Sequence, residues 1–210
     1  MNNRKSSVYG IIALMAFIAF AWASCQGKSD RNEQRDKEEI TQKADSTRQD
    51  SAWLLIPGRS AGKISIGEAD SIVFASLGKP DAGDAAMGKS LSTWYGQYRG
   101  ERNQLNIFAS RNMGGDDETS RVQQIRVTSP AFATEEGLHV GANLEEVMQV
   151  YPQAQKLNTF ERKGIPYVTY GTDQGIGFEL NADLICKAII IHDPKLETGA
   201  TYIPFQSLED

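Results

Sequence analysis

Gly137-Leu-His-Val-Gly-Ala-Asn-Leu-Glu-Glu-Val-Met-Gln-Val-Tyr151 is the second copy of a pattern, and that repetition governs the reading of the chain. The first copy is Gly62-Lys-Ile-Ser-Ile-Gly-Glu-Ala-Asp-Ser-Ile-Val-Phe-Ala-Ser-Leu-Gly-Lys-Pro80. Aligned on Ile66-Gly67 and Val140-Gly141, each copy is a short apolar strand ending in Gly, followed by a one-sided apolar helix. Such internal repetition is the first thing to look for, because it fixes the architecture into which everything else must fit.

In the first copy Ala69, Ile72, Val73 and Leu77 fall on the stripe of an amphipathic helix, with Gly78 and Pro80 to stop it. In the second, Leu144, Val147, Met148 and Tyr151 repeat the stripe and Pro152 closes it. Asn143 followed by Glu146 has the pattern of a capping box. The first copy holds Ala69 and Ile72 at those positions, so its cap comes from elsewhere.

Strands follow each helix: residues 92–98, 105–108 and 121–127, then 167–170, 175–180 and 186–191, all rich in β-branched or aromatic side chains. Tyr95 matches Tyr170, while Val122, Ile125 and Val127 match Cys186, Ile189 and Ile191. A helix followed by antiparallel strands, twice over, predicts an α+β fold of two tandem helix-plus-antiparallel-sheet repeats, at residues 53–134 and 135–192. One helix on three short strands is a marginal core, so the two units are expected to join sheets or pack closely. Residues 193–210 read as a tail, whose Tyr202, Ile203 and Phe205 would dock back on the body.

Ahead of the repeats, Arg4, Lys5 and the apolar run 8–23 have the layout of an export signal, here residues 1–24. Two cleavage sites overlap. Ala21-Trp22-Ala23 would leave Ser24 as the mature end, whereas Trp22-Ala23-Ser24-Cys25 resembles a lipobox that would lipidate Cys25, with Trp22 in place of the usual Leu. A third reading, an uncleaved anchor, needs about 20 apolar residues and the run is shorter. Cys25 at the end of the apolar run favours lipidation. Of the 2 cysteines, Cys186 is then alone; a cut before Ser24 would permit a Cys25–Cys186 bridge.

Residues 25–52 form a charged linker with Ile40 as its one large aliphatic side chain before the body begins at Trp53, and such composition suits a flexible tether. The formal charge of −5, or −7 once Arg4 and Lys5 leave with the signal, argues against nucleic acid and against electrostatic adhesion to anionic lipid. Membrane attachment would come from lipid on Cys25.

The paired pattern Ile66-Gly67…Val73…Leu77-Gly78-Lys79-Pro80 and Gly137…Val140-Gly141…Glu146-Val147…Tyr151 resembles the tandem units of β-lactamase-inhibitor-protein-like domains, found also in small outer-membrane lipoproteins of the SmpA/OmlA type. The resemblance runs from Gly62 to about His192 and rests on turn, cap and core residues. It implies a non-catalytic envelope module whose sheet or loops contact other proteins.

Candidate chemistry is sparse. A Ser or Cys nucleophile needs a base, and His139 and His192 are the two histidines; both read as strand or turn residues. Cys186 stands where the first copy has Val122 and reads as a buried thiol. Asp116, Asp117 and Glu118 lie in a Gly-rich loop without the spacing of a calcium loop. No catalytic, metal or cofactor residue is therefore assigned. Trp94 and Tyr98 share one strand face, opposite Tyr95, and are the candidates for a partner-facing patch, the alternative being that they pack under the helix.

The reading is a non-catalytic lipoprotein of the cell envelope, at the outer membrane, whose module binds a protein partner. The alternatives are an inhibitor of an envelope enzyme acting through a loop such as residues 113–120, in anchored, periplasmic or secreted form, and an enzyme of unrecognised class.

Overall fold

Two-residue turns and alternating side chains, more than helical spacing, shape this chain. The computed structural model describes residues 50–196. The expected signal (1–24), the expected lipidation site Cys25, the expected linker up to residue 49 and the residues beyond 196 lie outside the described residues.

Asp50 accepts the Ala52 N–H at the start of a 3₁₀ turn, Ser51–Trp53. There follow β1 (Leu54–Ile56), β2 (Ser60–Ala61), β3 (Ile64–Ser65), α1 (Asp70–Leu77), β4 (Ala82–Ala86), β5 (Lys89–Tyr98), β6 (Glu101–Ser110) and β7 (Arg121–Val127). The second half runs β8 (Ala133–Thr134), α2 (Leu144–Val150), β9 (Gln155–Arg162), β10 (Ile165–Gly171), β11 (Ile176–Asn181) and β12 (Cys186–His192). Strands β3-β2-β1-β8 make a small sheet, and β4-β5-β6-β7-β12-β11-β10-β9 make a large one, antiparallel throughout. Among the described residues no helix is long and apolar enough to cross a membrane.

The expected α+β class is overturned. Twelve strands in two sheets, against two helices of eight and seven residues, make the described chain mainly β rather than a balanced pair of helix-plus-sheet repeats. Three physical reasons account for the difference. Met87-Gly88, Arg99-Gly100 and Lys163-Gly164 carry positive φ at both positions, the geometry of a hairpin turn whose twist matches its strands. These turns let β5 and β6 run for ten residues each and add a strand at each edge. The edge strands β4 and β9 are mostly exposed, so nothing in Ala82-Gly-Asp-Ala-Ala86 or in residues 155–162 shows a one-sided apolar pattern. The helices, finally, bury little: Val73 and Val147 are the one fully buried residue of each, while Ile72 on the expected stripe is 55% exposed.

Local details do follow from the sequence. Asn143 and Glu146 form the reciprocal capping box, at 3.0 and 2.8 Å. The Asp70 N–H at the start of α1 donates to the Ser120 carbonyl at 3.0 Å, so the missing cap is supplied by the chain entering β7. β7 and β12 pair at the centre of the large sheet, Ile189 opposite Val127 and Ile191 opposite Ile125, so the two matched pairs meet crosswise rather than each residue facing its own match. With Phe178 and Leu180 they form the floor of the main core, roofed by Val73 of α1, Val147 of α2 and the small sheet.

Candidate partner-binding face

Strand alternation sends every second residue of the large sheet away from the helices. The register Phe178–Ile189–Val127–Leu105 lies in the main core, so the neighbouring register Gly177–Ile190–Arg126–Asn106 lies on the opposite face. That face carries a buried ionic cluster. Arg126 Nε and Nη2 donate to Glu179 Oε2 at 3.1 and 2.8 Å, and Arg162 Nη2 donates to the same oxygen at 3.3 Å. Arg126 Nη1 donates to Asn106 Oδ1 at 2.9 Å, and Asn106 Nδ2 in turn donates to Thr93 Oγ1 at 3.0 Å. The side chains of Arg126, Glu179 and Arg162 are no more than 4% exposed. Burial pushes the Glu179 carboxyl up, and the two guanidinium groups outweigh that, leaving it below its ordinary value.

Toward one end of the strands the cluster gives way to arginines laid on aromatic rings. The Arg102 guanidinium sits 3.7 Å from the centre of the Tyr95 ring. Arg162 lies 5.1 Å from Tyr167 and 5.4 Å from Phe160, which stack on each other at 5.3 Å. Arg99 is 5.2 Å from Tyr98 at the β5–β6 turn, on the other side of the strand, the side of Trp94. Arg102, Arg126, Arg162, Tyr167 and Lys187, with Glu101 as the one carboxylate, line a cavity of about 330 Å³ there. Each pairing holds a cation over an aromatic ring within about 6 Å of its centre, the range in which cation–π attraction acts.

The two aromatic residues expected to face a partner divide. Trp94 packs against the main core 5.9 Å from Phe74 of α1, and its indole N–H donates to the Gly78 carbonyl at 3.2 Å. It lies under the helix, as the alternative reading had it. Tyr98 is half-buried at the turn. Tyr95, read from the sequence as framework, is on the face that carries no helix among the described residues (the helix-free face below), whereas Tyr170 packs against the core, so these two tyrosines do not correspond. Alternation determines that Trp94 and Tyr95 oppose one another; which of them meets the helix depends on where α1 lands.

Reasoning from sequence passed over Arg126, Glu179 and Arg162. A signal was present in Ile125-Arg126-Val127 and Phe178-Glu179-Leu180, each a single charge between two core-facing residues. The remaining candidates separate. Cys186 is fully buried, its thiol donates to the Ala188 carbonyl at 3.3 Å, and burial, with the Glu179 charge, pushes it up to about 12. His139 is exposed, with Nδ1 2.8 Å from the Val140 carbonyl. In the acidic loop Asp117 bonds Arg121 and the Thr119 N–H, and Glu118 accepts from Gly114. Among the described residues no group of three or more His, Cys, Asp or Glu is placed to hold a metal ion.

His192 is buried on the helix-free face, and burial lowers its basicity despite carbonyl groups of Asp193 and Leu196 nearby. His192 and Glu179 therefore both bind more protons unfolded than folded, so stability rises with pH through their unfolded titrations. The urea midpoint is expected to fall on acidification in two stages, below about pH 6.5 from His192 and more steeply below about 4.5 from Glu179. Replacing His192 with Asn should remove the upper stage alone. A midpoint constant from pH 8 to 4 would contradict both assignments.

No protein family and no curated protein matches the sequence. A solved structure that resembles it is the uncharacterized protein yfeY from Escherichia coli. The two are 13% identical, the match covers 65% of this chain and 98% of that one, and the TM-score is 0.34. At that score the likeness carries no argument about fold or activity.

Proposed function

We propose that the protein is a non-catalytic module of the cell envelope that binds an acidic segment of a protein partner at the arginine–aromatic end of its large sheet. The observation that carries this reading is the pair Arg102 and Arg162, set over Tyr95, Tyr167 and Phe160 and lining one cavity with Arg126 and Lys187. Arginine and tyrosine are the residue types that concentrate binding energy at interfaces. A guanidinium lying over a ring can still present N–H groups to a carboxylate. The chain is acidic as a whole, so this basic end would steer an acidic partner to one place. The resemblance of residues 62–192 to β-lactamase-inhibitor-protein-like units supports the same reading. Lipid on Cys25 would fix the address and residues 25–52 would give reach, with a soluble periplasmic or secreted form as the alternative.

A photo-crosslinking residue at Gln97, exposed on the strand that carries Tyr95, tests this in intact cells. The expected result is a discrete protein adduct, with affinity for the captured partner reduced at least tenfold by Arg102→Ala, about the loss of an interface hot spot. No adduct at Gln97, or an affinity indifferent to Arg102, would remove the proposal. A second reading, inhibition of an enzyme, rests on the loop before β7. Arg121 and Asp117 brace it at 2.8 Å, while Met113 at its tip is 55% exposed. A one-to-one complex that abolishes an enzyme's activity, and that Met113→Asp breaks while Arg102→Ala does not, would favour that reading.

A further inference from the structure

The large sheet ends at β4, and that edge is open. β4 pairs with β5 on one side, and among the described residues nothing bonds its other side. Met87-Gly88 makes a two-residue turn, so the pair flanking it, Ala86 and Lys89, exchanges backbone bonds. Alternation along an antiparallel ladder then turns the N–H and C=O groups of Gly83 and Ala85 outward. An open edge is a template for another extended chain, and proteins blunt the edges they do not use with lysine, proline or a bulge. β9, at the far edge, carries Lys156 and Glu161 and shifts register against Thr169 and Tyr170. β4 is Ala82-Gly-Asp-Ala-Ala86, exposed and in unbroken register, with Asp84 as its single charge. Gly83 and Ala85 share the registers of Ile107 and Val122, on the face that α1 covers. Asp84 shares the register of Leu91, on the helix-free face.

Helix α1 runs beside this edge. Asp70 at its start lines a cavity of about 360 Å³ with Ala85, Ala86 and Ser90, and the Gly78 carbonyl beyond its end accepts the Trp94 indole N–H. Phe74 and Leu77 follow Asp70 by four and seven residues, on the same side of the helix, and each is 37% exposed. The small Gly83 and Ala85 leave room between the edge and these two side chains. We infer that β4 takes an extended segment of a partner protein as a further antiparallel strand, with a lysine or arginine opposite Asp84 and large apolar side chains opposite Gly83 and Ala85. Alternation points that apolar pair to the α1 side, toward Phe74 and Leu77, and sets the cation beside the Asp84 carboxylate across the new ladder. A second copy of this chain does not suit the edge. Two β4 strands paired antiparallel over their full length put Asp84 opposite Asp84, and like charges directly opposite are destabilising. The edge shares no residue with the lining of the arginine–aromatic cavity, so the inference stands whether or not that cavity binds a partner.

The test is fluorescence anisotropy of a labelled peptide, Gly-Thr-Ile-Lys-Ile-Thr-Gly, titrated with the intact chain. Saturable binding below about 1 mM is expected. Exchanging the peptide's lysine for glutamate should weaken binding about fivefold or more, and Asp84→Lys should reverse that preference. Ala85→Pro should abolish binding, because it removes an outward N–H that the fold itself does not use, and an edge strand tolerates proline at such a position. Its thermal midpoint, expected to stay near that of the parent, separates lost binding from lost folding. Should Ala85→Pro fail to fold, the charge exchange at Asp84 decides by the same criteria. Arg102→Ala should leave the peptide's affinity unchanged, which keeps this site distinct from the cavity. The inference is overturned if no saturable binding is seen, if the lysine and glutamate peptides bind alike, or if Asp84→Lys leaves the preference as it was. It is equally overturned if a folded Ala85→Pro chain binds as the parent does. A dimer of the chain alone that Ala85→Pro dissociates, seen by sedimentation, would give the edge to a second copy and overturn it as well.

Discussion

Glu179→Ala is expected to remove about 3–5 kcal/mol of folding stability, the cost of stripping the partner from a buried charge. Two guanidinium groups depend on that one carboxylate, at 2.8 and 3.3 Å, and both are buried with it. Without it, Arg126 and Arg162 would face each other in a region from which water is excluded. For a domain whose whole stability lies within about 5–15 kcal/mol, such a loss is severe. Denaturant unfolding at pH 7 measures it directly. The contrasting design replaces Glu179 by Leu and both arginines by Met. It is expected to come within about 1 kcal/mol of the parent or to exceed it, since apolar packing often substitutes for a buried ion pair without loss. A Glu179→Ala cost under about 1 kcal/mol would mean that the cluster is solvated like a surface pair, and the buried site described above would not exist.

The same residues show what was legible in the sequence and what was not. The Asn143–Glu146 capping box reads directly, because donor and acceptor are three positions apart and the geometry is local. The apolar positions of β7 and β12 also read directly, since core-facing residues in central strands are uniformly apolar. The mainly β character did not. Edge strands such as β4 have one wet face and one half-wet face, and their short side chains leave no period to detect. The helical stripes of α1 and α2 have the right spacing, yet most of each is solvated; periodicity indicates what a segment would bury given a partner surface, and here the sheet offers little. The ionic cluster was out of reach for a different reason. Arg126 and Glu179 are 53 positions apart and meet because β7 pairs with β12 and β12 with β11. Register across three strands is a property of the assembled sheet, so the sequence could show two isolated charges but not their meeting. The helix-free face, and with it the site, therefore emerged only from the structure.

That face joins two kinds of surface on one sheet. The end with the β5–β6 and β9–β10 turns is rich in arginine and aromatic rings, while the end at Leu91 and Phe108 is apolar and buried. The buried Arg126–Glu179–Arg162 cluster lies between them and also fixes Arg162, which stacks on Tyr167. A defect at Glu179 should thus disturb the arginine–aromatic end as well as the fold.

Phe178→Ala, one residue away, is expected to cost a similar amount for an unrelated reason. Phe178 points into the main core, is fully buried, and has its ring 5.5 Å from that of Tyr151 at the end of α2. Truncation leaves a cavity between the sheet and α2, and phenylalanine losses of this kind run to about 3–5 kcal/mol. Acidification separates the two mechanisms. The Glu179 carboxyl is depressed in the fold, so its contribution is present above its unfolded value near 4.5 and is lost as pH falls through the folded value. The difference between the parent and Glu179→Ala should accordingly shrink in acid, because the parent loses the same charge by protonation. The difference between the parent and Phe178→Ala involves no titrating group and should stay constant over the same range. Two neighbouring substitutions of equal severity, one fading with acid and one not, would establish that adjacent residues of β11 serve opposite faces. If both penalties faded together, Phe178 and Glu179 would belong to one coupled cluster, and the division of the sheet into an apolar face and an ionic face would be wrong.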